Sequence, residues 1–200
     1  NSLRYSWKGG KSFQKTAGEN KARSFLGLPG KQLDLVKSIY DKNKNLTVVY
    51  VSGKPISEPW IEDNIKSIIH SWEPGSMGGK SMGKIVFGEI NPSGKMPMTT
   101  ARSVGQLTMV YNHKPTNYIH KYAFEKTKPL YRFGFGLSYT SFSISEPTLS
   151  ISKWDGTGKL NVEVDVKNTG KREGMETVQL YIRDLFSSVT RPVLELKGYK

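Results

Sequence analysis

From Trp72 to Pro97 the chain reads Trp-Glu-Pro-Gly-Ser-Met-Gly-Gly-Lys-Ser-Met-Gly-Lys-Ile-Val-Phe-Gly-Glu-Ile-Asn-Pro-Ser-Gly-Lys-Met-Pro, so dense in glycine and proline that no long regular element fits. Pro74-Gly75 and Gly78-Gly79 suit a loop that needs positive φ or a close backbone approach. Met82, Ile85 and Val86 then fall at the spacing of a short helix buried on one face, and Gly88 is placed to cap it. Asn91-Pro92-Ser93-Gly94 has the residues of a type I turn.

On the N-terminal side of this unit, Leu33, Val36 and Tyr40 lie at helical spacing, with Leu35 and Ile39 widening the apolar face. Leu46 to Val51 is a β-branched run suited to a buried strand, turned by Ser52-Gly53-Lys54-Pro55, and Asn64 to Trp72 reads as a second strand. Strands alternating with helices predict a mostly parallel sheet with helices on its faces, an α/β arrangement that is incomplete here.

After Phe142 the rhythm changes. Leu160, Val162, Val164 and Val166 alternate with polar residues, Asn168-Thr169-Gly170 makes a turn, and Val178, Leu180 and Ile182 alternate again. This is the pattern of half-buried antiparallel strands in a sandwich. A seven-strand sandwich takes about 100 residues, and the stretch from Glu146 to Lys200 is much shorter, so an open edge and an exposed core face are expected.

Between the two rhythms lies a long irregular stretch, Thr99 to Lys128, carrying Tyr111, His113, Tyr118, His120, Tyr122 and Phe124. Its aromatic rings either face a sugar substrate or pin the loop to the domain. His113 and His120 have no third ligand nearby, which argues against a metal site.

The net charge of +13 raises nucleic-acid binding. The basic residues are scattered, however, with Lys42 and Lys44, Lys121 and Lys126, and Lys171 and Arg172 in separate loops, so no nucleic-acid partner is expected. The sequence has no apolar run long enough to span a membrane, and zero cysteines exclude disulfides and thiolate metal ligands.

Taken in order, several of these segments carry a resemblance. Gly18-Glu19 with Arg23-Ser24, Leu28-Pro29-Gly30-Lys31-Gln32, Val51-Ser52-Gly53-Lys54-Pro55, the Trp72–Pro97 unit, and Pro129-Leu130-Tyr131-Arg132-Phe133-Gly134-Phe135-Gly136-Leu137-Ser138-Tyr139-Thr140 resemble the C-terminal α/β domain of glycoside hydrolase family 3. Val178-Gln179-Leu180-Tyr181, Arg191-Pro192 and Leu196-Lys197-Gly198-Tyr199 resemble the fibronectin type III-like module that follows it in that family. The resemblance implies three segments: an irregular stretch at 1–17, a partial α/β domain at 18–142 and a truncated fibronectin type III-like domain at 146–200. Arg4 to Gly9, with Trp7, resembles a segment that the family carries earlier, but only about ten residues separate it from Gly18, fewer than a βαβ crossover takes.

What the resemblance implies about function is a retaining, exo-acting β-glycosidase acting on terminal non-reducing β-D-glucosyl residues, in carbohydrate catabolism. Its substrate would be a β-linked oligosaccharide or glucoside, with no cofactor and no metal, in a secreted or periplasmic protein. Glu19 matches the family's general acid/base. The family's motif often places Asp three residues after the Glu, where this chain has Ala22, and Lys21 and Arg23 would lower the pKa of Glu19 if they pointed at it, whereas an acid needs it raised. The nucleophile of the family is an Asp in a preceding (β/α)8 barrel of roughly 250 residues, to which no stretch here is similar. The chain alone is therefore expected to be inactive. Glu58, Glu62, Asp63, Glu73 and Glu89 read as surface or capping carboxylates. The competing reading is a non-catalytic fragment or a carbohydrate- or partner-binding module.

Overall fold

Helix α1 (Gln32–Lys42) begins after Pro29 and Gly30, whose φ of 65° turns the chain, and it carries Asp34 in its first turn and Lys42 in its last, both favourable to the helix dipole. The structure is a computed structural model describing residues 24–115 and 121–200. Leu33, Val36 and Tyr40 of α1 pack on the first core, as their spacing predicts, while Leu35 and Ile39 stay exposed. Strand β1 (Thr47–Val51) follows, then α2 (Pro59–Asn64), β2 (Ser67–Trp72) and α3 (Gly78–Val86).

β1 and β2 form a two-stranded parallel sheet, joined through α2. Tyr50, Ile56, Ile61 and Ile65 are the buried centre of the first core. Ile61 is fully buried, a placement worth roughly 1.5–3 kcal/mol relative to exposure. α2 occupies a stretch to which the sequence reading assigns no element, apart from Asn64, read there as the start of a strand; Pro59 at its first turn sets φ for the helix, and its missing N–H is one that a helix start leaves free in any case.

The Trp72–Pro97 unit differs from its sequence reading in three places, the first being Val86, expected on the buried face of α3 but exposed. Gly78 and Gly79 belong to the first turn of α3, where a Cβ on Gly78 would come within 2.5 Å of the Pro74 ring. Gly79 faces open space, so the close approach concerns Gly78 alone. Gly88, at φ 76°, ends the helix as expected. Residues 91–96 run on without a turn, because the Asn91 side chain serves a distant segment: it accepts the Tyr139 N–H at 2.7 Å and donates to Ser138 Oγ at 2.8 Å.

A second core gathers Met96, Leu130 and Tyr131, with Trp72 packed against it. Thr100 pairs with Tyr131 in an antiparallel bridge, and Met96 exchanges backbone hydrogen bonds with Gly134 and Phe135, so the strand-like segments around Met96 and Tyr131 lie side by side.

From Phe142 onward all pairing is antiparallel. β3 (Phe142–Ile144) pairs with β6 (Val166–Asn168), β4 (Thr148–Leu149) with β5 (Val162–Glu163), and β7 (Gln179–Ile182) with β8 (Glu195–Tyr199). The predicted single strand through Leu160 to Val166 is two short ones. Glu146-Pro147 on one side faces Val164 on the other, and because Pro147 has no N–H to give the ladder, the register slips there as in a bulge. Asp165 bridges the break, its carbonyl accepting the Ser145 N–H and its own N–H donating to Ser145 Oγ. Ile144, Leu149, Val164, Val166, Leu180 and Ile182 all remain exposed. Among the described residues antiparallel pairs thus outnumber the single parallel one, which corrects the expectation of a mostly parallel sheet.

Candidate functional site

In a parallel α/β sheet the reactive edge is the carboxyl end of the strands, where loops leave and helices begin. Here the carboxyl ends of β1 and β2 open into residues 52–55 and 73–77. The Ser52 N–H donates to the Trp72 carbonyl at 3.0 Å, closing the two loops on each other. Opposite Tyr50 and Val51 the register shifts, leaving Ser71 as an extra residue in β2, and its Oγ donates to the Tyr50 carbonyl at 2.8 Å. Trp72, just past this bulge, sits at φ 53°, a conformation rarely adopted by a bulky residue. The bend it makes turns the chain into Glu73-Pro74-Gly75, and Glu73 lies over Gly53, where a Cβ would come within 2.9 Å of its carboxylate.

Glu19, the sequence-predicted acid/base, lies outside the described residues. The stretch that leads back to it is described from Ser24 onward, and its root is fixed. The Leu26 carbonyl accepts the Ser57 N–H at 2.9 Å, and the Leu28 N–H donates to Glu58 Oε2 at 3.0 Å. Glu58 keeps 9% of its surface exposed, which corrects its reading as a surface carboxylate. It does cap α2, but through its backbone carbonyl, which accepts from Ile61 and Glu62; its side chain is turned to Leu28.

A network extends from this root. Ser57 Oγ donates to the Arg102 carbonyl at 2.9 Å, the Arg102 N–H donates to Gln106 Oε1 at 2.8 Å, and Gln106 Nε2 donates to the Lys126 carbonyl at 2.7 Å. Arg102 Nε donates to the Lys128 carbonyl and lies 4.0 Å from Glu125. Fully buried Gln106 is thus the hub that fixes the exit of the aromatic stretch. Nothing in its sequence surroundings, Val104-Gly105-Gln106-Leu107, marks it as one.

Below the network sits a polar aromatic cluster. Tyr131 Oη donates to Glu62, and the His70 ring lies between Tyr50, at 4.9 Å, and Tyr131, at 5.1 Å. Burial first, and then the bond to Glu62, push the Tyr131 phenol far above its ordinary value. Burial, followed by the charges of Glu58 and Glu62, raises Tyr50. Burial lowers His70, whose Nε2 has no hydrogen-bond partner. The neighbouring carboxylates are engaged: Glu58 by an amide, Glu62 by a phenol, Asp63 by Lys126 at 3.1 Å.

Of the aromatic stretch, Tyr111 stacks on Phe133 at 4.2 Å and meets Tyr181 edge-on at 6.3 Å, so this ring pins the stretch to the body. Phe124 is fully exposed, while Tyr118 and His120 lie outside the described residues. His113 turns Nδ1 to the Lys114 carbonyl, and among the described residues no group of three His, Cys, Asp or Glu could hold a metal ion. A separate open depression of about 650 Å³, lined by Pro115, Leu185, Phe186, Val189 and Arg191 among others, includes Arg191 of the Arg191-Pro192 pair but none of the candidate carboxylates or aromatic residues singled out in the sequence.

Comparison with known proteins places this arrangement. Residues 9–139 match the glycosyl hydrolase family 3 C-terminal domain. A periplasmic β-glucosidase of Salmonella typhimurium is 38% identical over 94% of this chain and 26% of its own length, and a β-xylosidase of Formosa agariphila is 40% identical over 94% and 27%. Among solved structures, a β-glucosidase from Erythrobacter marinus superposes with a TM-score of 0.86 at 40% identity, covering 90% of this chain and 24% of its own. One from Listeria innocua, solved with laminaribiose, gives 0.85 at 29% identity, covering 92% and 27%. The chain spans about a quarter of the length of the curated relatives it matches.

Proposed function

The chain belongs to glycosyl hydrolase family 3 through its C-terminal domain, and on that premise we propose that it is the C-terminal part of a retaining, exo-acting β-glycosidase. Its substrates are β-linked glucosides or oligosaccharides, cleaved at terminal non-reducing β-D-glucosyl residues. The observation that carries the reading is similarity to β-glucosidases and β-xylosidases across almost the whole chain, in both its α/β and its β part. Residues 18–142 supply the α/β domain and 146–200 a fibronectin type III-like module; the antiparallel pairs β3–β6, β4–β5 and β7–β8 support the latter assignment.

Retention requires two carboxyl groups about 5–5.5 Å apart, one to attack the anomeric carbon and one to protonate the departing oxygen and then deprotonate water. Glu19 takes the second role. The first falls to an Asp of a barrel elsewhere in the parent polypeptide, which makes this chain inactive by itself.

Hydrolysis of nitrophenyl β-glucoside and β-xyloside by the 200-residue chain and by the longest polypeptide its gene encodes tests the reading. Turnover is expected in the longer protein only, preferring glucoside. In the longer protein Glu19→Ala should abolish turnover of methyl β-glucoside, and azide should restore turnover of the nitrophenyl substrate, because a small anion can replace the water that Glu19 activates. Turnover by the short chain that Glu19→Gln removes would overturn the requirement for a barrel Asp.

A further inference from the structure

We propose that the open depression between Pro115 and the β7–β8 connection is a second, non-catalytic site that binds a β-linked gluco-oligosaccharide; the choice of ligand rests on the reading of the parent as a β-glycosidase. The depression, of about 650 Å³, brings Leu185, Phe186 and Val189 together with Asp184 and Arg191. Phe186 is 94% exposed, and Leu185 and Val189 are exposed beside it. Folding gives no reason to hold such a group of apolar side chains in water.

The loop that presents them is held in shape by its own polar groups. The Phe186 N–H donates to Asp184 Oδ1 at 3.2 Å, and Ser187 Oγ donates to the Val189 carbonyl at 2.7 Å. The approach to Pro115 is tied down as well. The Val193 N–H donates to the carbonyl of His113, two residues before Pro115, at 2.9 Å, and Tyr111 meets Tyr181 of β7 edge-on. A ligand entering here therefore has little of the loop left to order.

The lining selects the ligand. A pyranose has apolar C–H faces and a rim of hydroxyls, so it needs a flat apolar surface beside donors and acceptors. The Phe186 ring supplies the surface. Asp184 has Oδ2 for a hydroxyl, because it is Oδ1 that takes the Phe186 amide. Among the described residues Arg191 meets Glu195 only at 3.8 Å, and Lys197 lies closer to the same carboxylate, at 2.9 Å, so the guanidinium has donors for a second hydroxyl. An anionic ligand would be opposed by Asp184, and an apolar peptide would desolvate Asp184 and Arg191 without pairing them. An open depression does not enclose a monosaccharide, so several linked units are needed for measurable affinity. On the same polypeptide as a catalytic site, such a contact raises the local concentration of a long substrate.

The test titrates the 200-residue chain with laminaritetraose by NMR, beside Phe186→Ala and Phe87→Ala. Phe87 is 85% exposed at the end of α3 and lies outside the depression. Laminaritetraose should bind with a dissociation constant on the order of 1 mM. Phe186→Ala should weaken binding by about five- to tenfold, and Phe87→Ala should leave it unchanged. Both rings stand in solvent, so both variants should keep the parent thermal midpoint, and a loss of binding is then not a loss of fold.

Absence of binding, or binding that Phe186→Ala leaves unchanged, overturns the inference. So does self-association in sedimentation that Phe186→Ala abolishes and laminaritetraose does not affect, which would give the surface to a second copy of the chain. Binding is read in the short chain, so it is separable from turnover. A longer protein that hydrolyses no glucoside, while Phe186 still governs laminaritetraose binding, would remove the glycosidase reading and uphold the site.

Discussion

Lys95 Nζ lies 2.6 Å from a Glu176 carboxylate oxygen, and each side chain keeps only 16% of its surface exposed. The same ammonium donates to the Gly136 carbonyl at 3.1 Å, so one cation joins the segment leaving the α/β unit, the Phe133–Leu137 stretch and the approach to β7. Removing one partner would leave the other charge buried and unpaired. Lys95→Met should lower the free energy of unfolding by about 3 kcal/mol, and Lys95→Met with Glu176→Met by clearly less than the two single losses combined. Urea unfolding of the four proteins checks this, and simple additivity would sink it.

Tyr131 and Tyr50 make stability sensitive to alkali. Burial is the leading cause of the raised pKa in both phenols, with Glu62 contributing to each. The unfolded chain loses these protons above about pH 10 while the folded chain keeps them, so the folded form binds more protons there and stability falls as pH rises. The contribution is complete below about pH 10 and declines above it. Tyr50→Phe should flatten the decline of the thermal midpoint on that side; an unchanged alkaline slope would contradict the assignment.

Much of the α/β part is legible from apolar spacing because burial created that spacing. Leu33, Val36 and Tyr40 mark α1, Val48 and Tyr50 mark the covered face of β1, and Gly88 marks the end of α3 through the positive φ it must adopt. Helix α2 was hidden by its shortness, although Pro59 in its first turn was a readable sign. The break between β5 and β6 was likewise written in Pro147, whose effect lies across the ladder rather than along the chain. The contact of Leu28 with Glu58 and the hub at Gln106 could not be read at all, since each joins residues whose sequence distance carries no period.

His70 gives the opposite pH dependence. Burial lowers its pKa below the ordinary value of about 6.5, and Nε2 has no hydrogen-bond partner. Charging the ring would place an unpaired cation between Tyr50 and Tyr131. The unfolded chain therefore takes up a proton before the folded one does, and the stabilisation, complete above about pH 6.5, is lost as pH falls through the lower folded-state value. His70→Phe should remove this acid-side slope, and proton NMR should show the His70 ring titrating below the ordinary histidine value of about 6.5. A midpoint above about 6.5 would be inconsistent with the buried neutral ring.

Gly83 and Gly134 should respond in opposite senses to the same substitution. Gly83 lies within α3, and a Cβ there would meet nothing within 4 Å, so Gly83→Ala mainly reduces the freedom of the unfolded chain and should stabilise by about 0.5–1 kcal/mol. Gly134 has φ of 76°, and a Cβ there would overlap Gln179 Oε1 and come within 2.9 Å of Tyr181 Oη. Those two groups are bonded to each other at 2.6 Å, and Gln179 Nε2 donates to the Gly134 carbonyl, so neither can withdraw without breaking the seam between the Met96–Tyr131 core and β7. Strain in the left-handed region adds about 1–2 kcal/mol to the cost of breaking these bonds. Gly134→Ala should therefore destabilise by about 2 kcal/mol or more, with hydrogen exchange accelerating in β7 before α3. Equal exchange in both elements would mean that the seam is not where the two parts of the chain are held together.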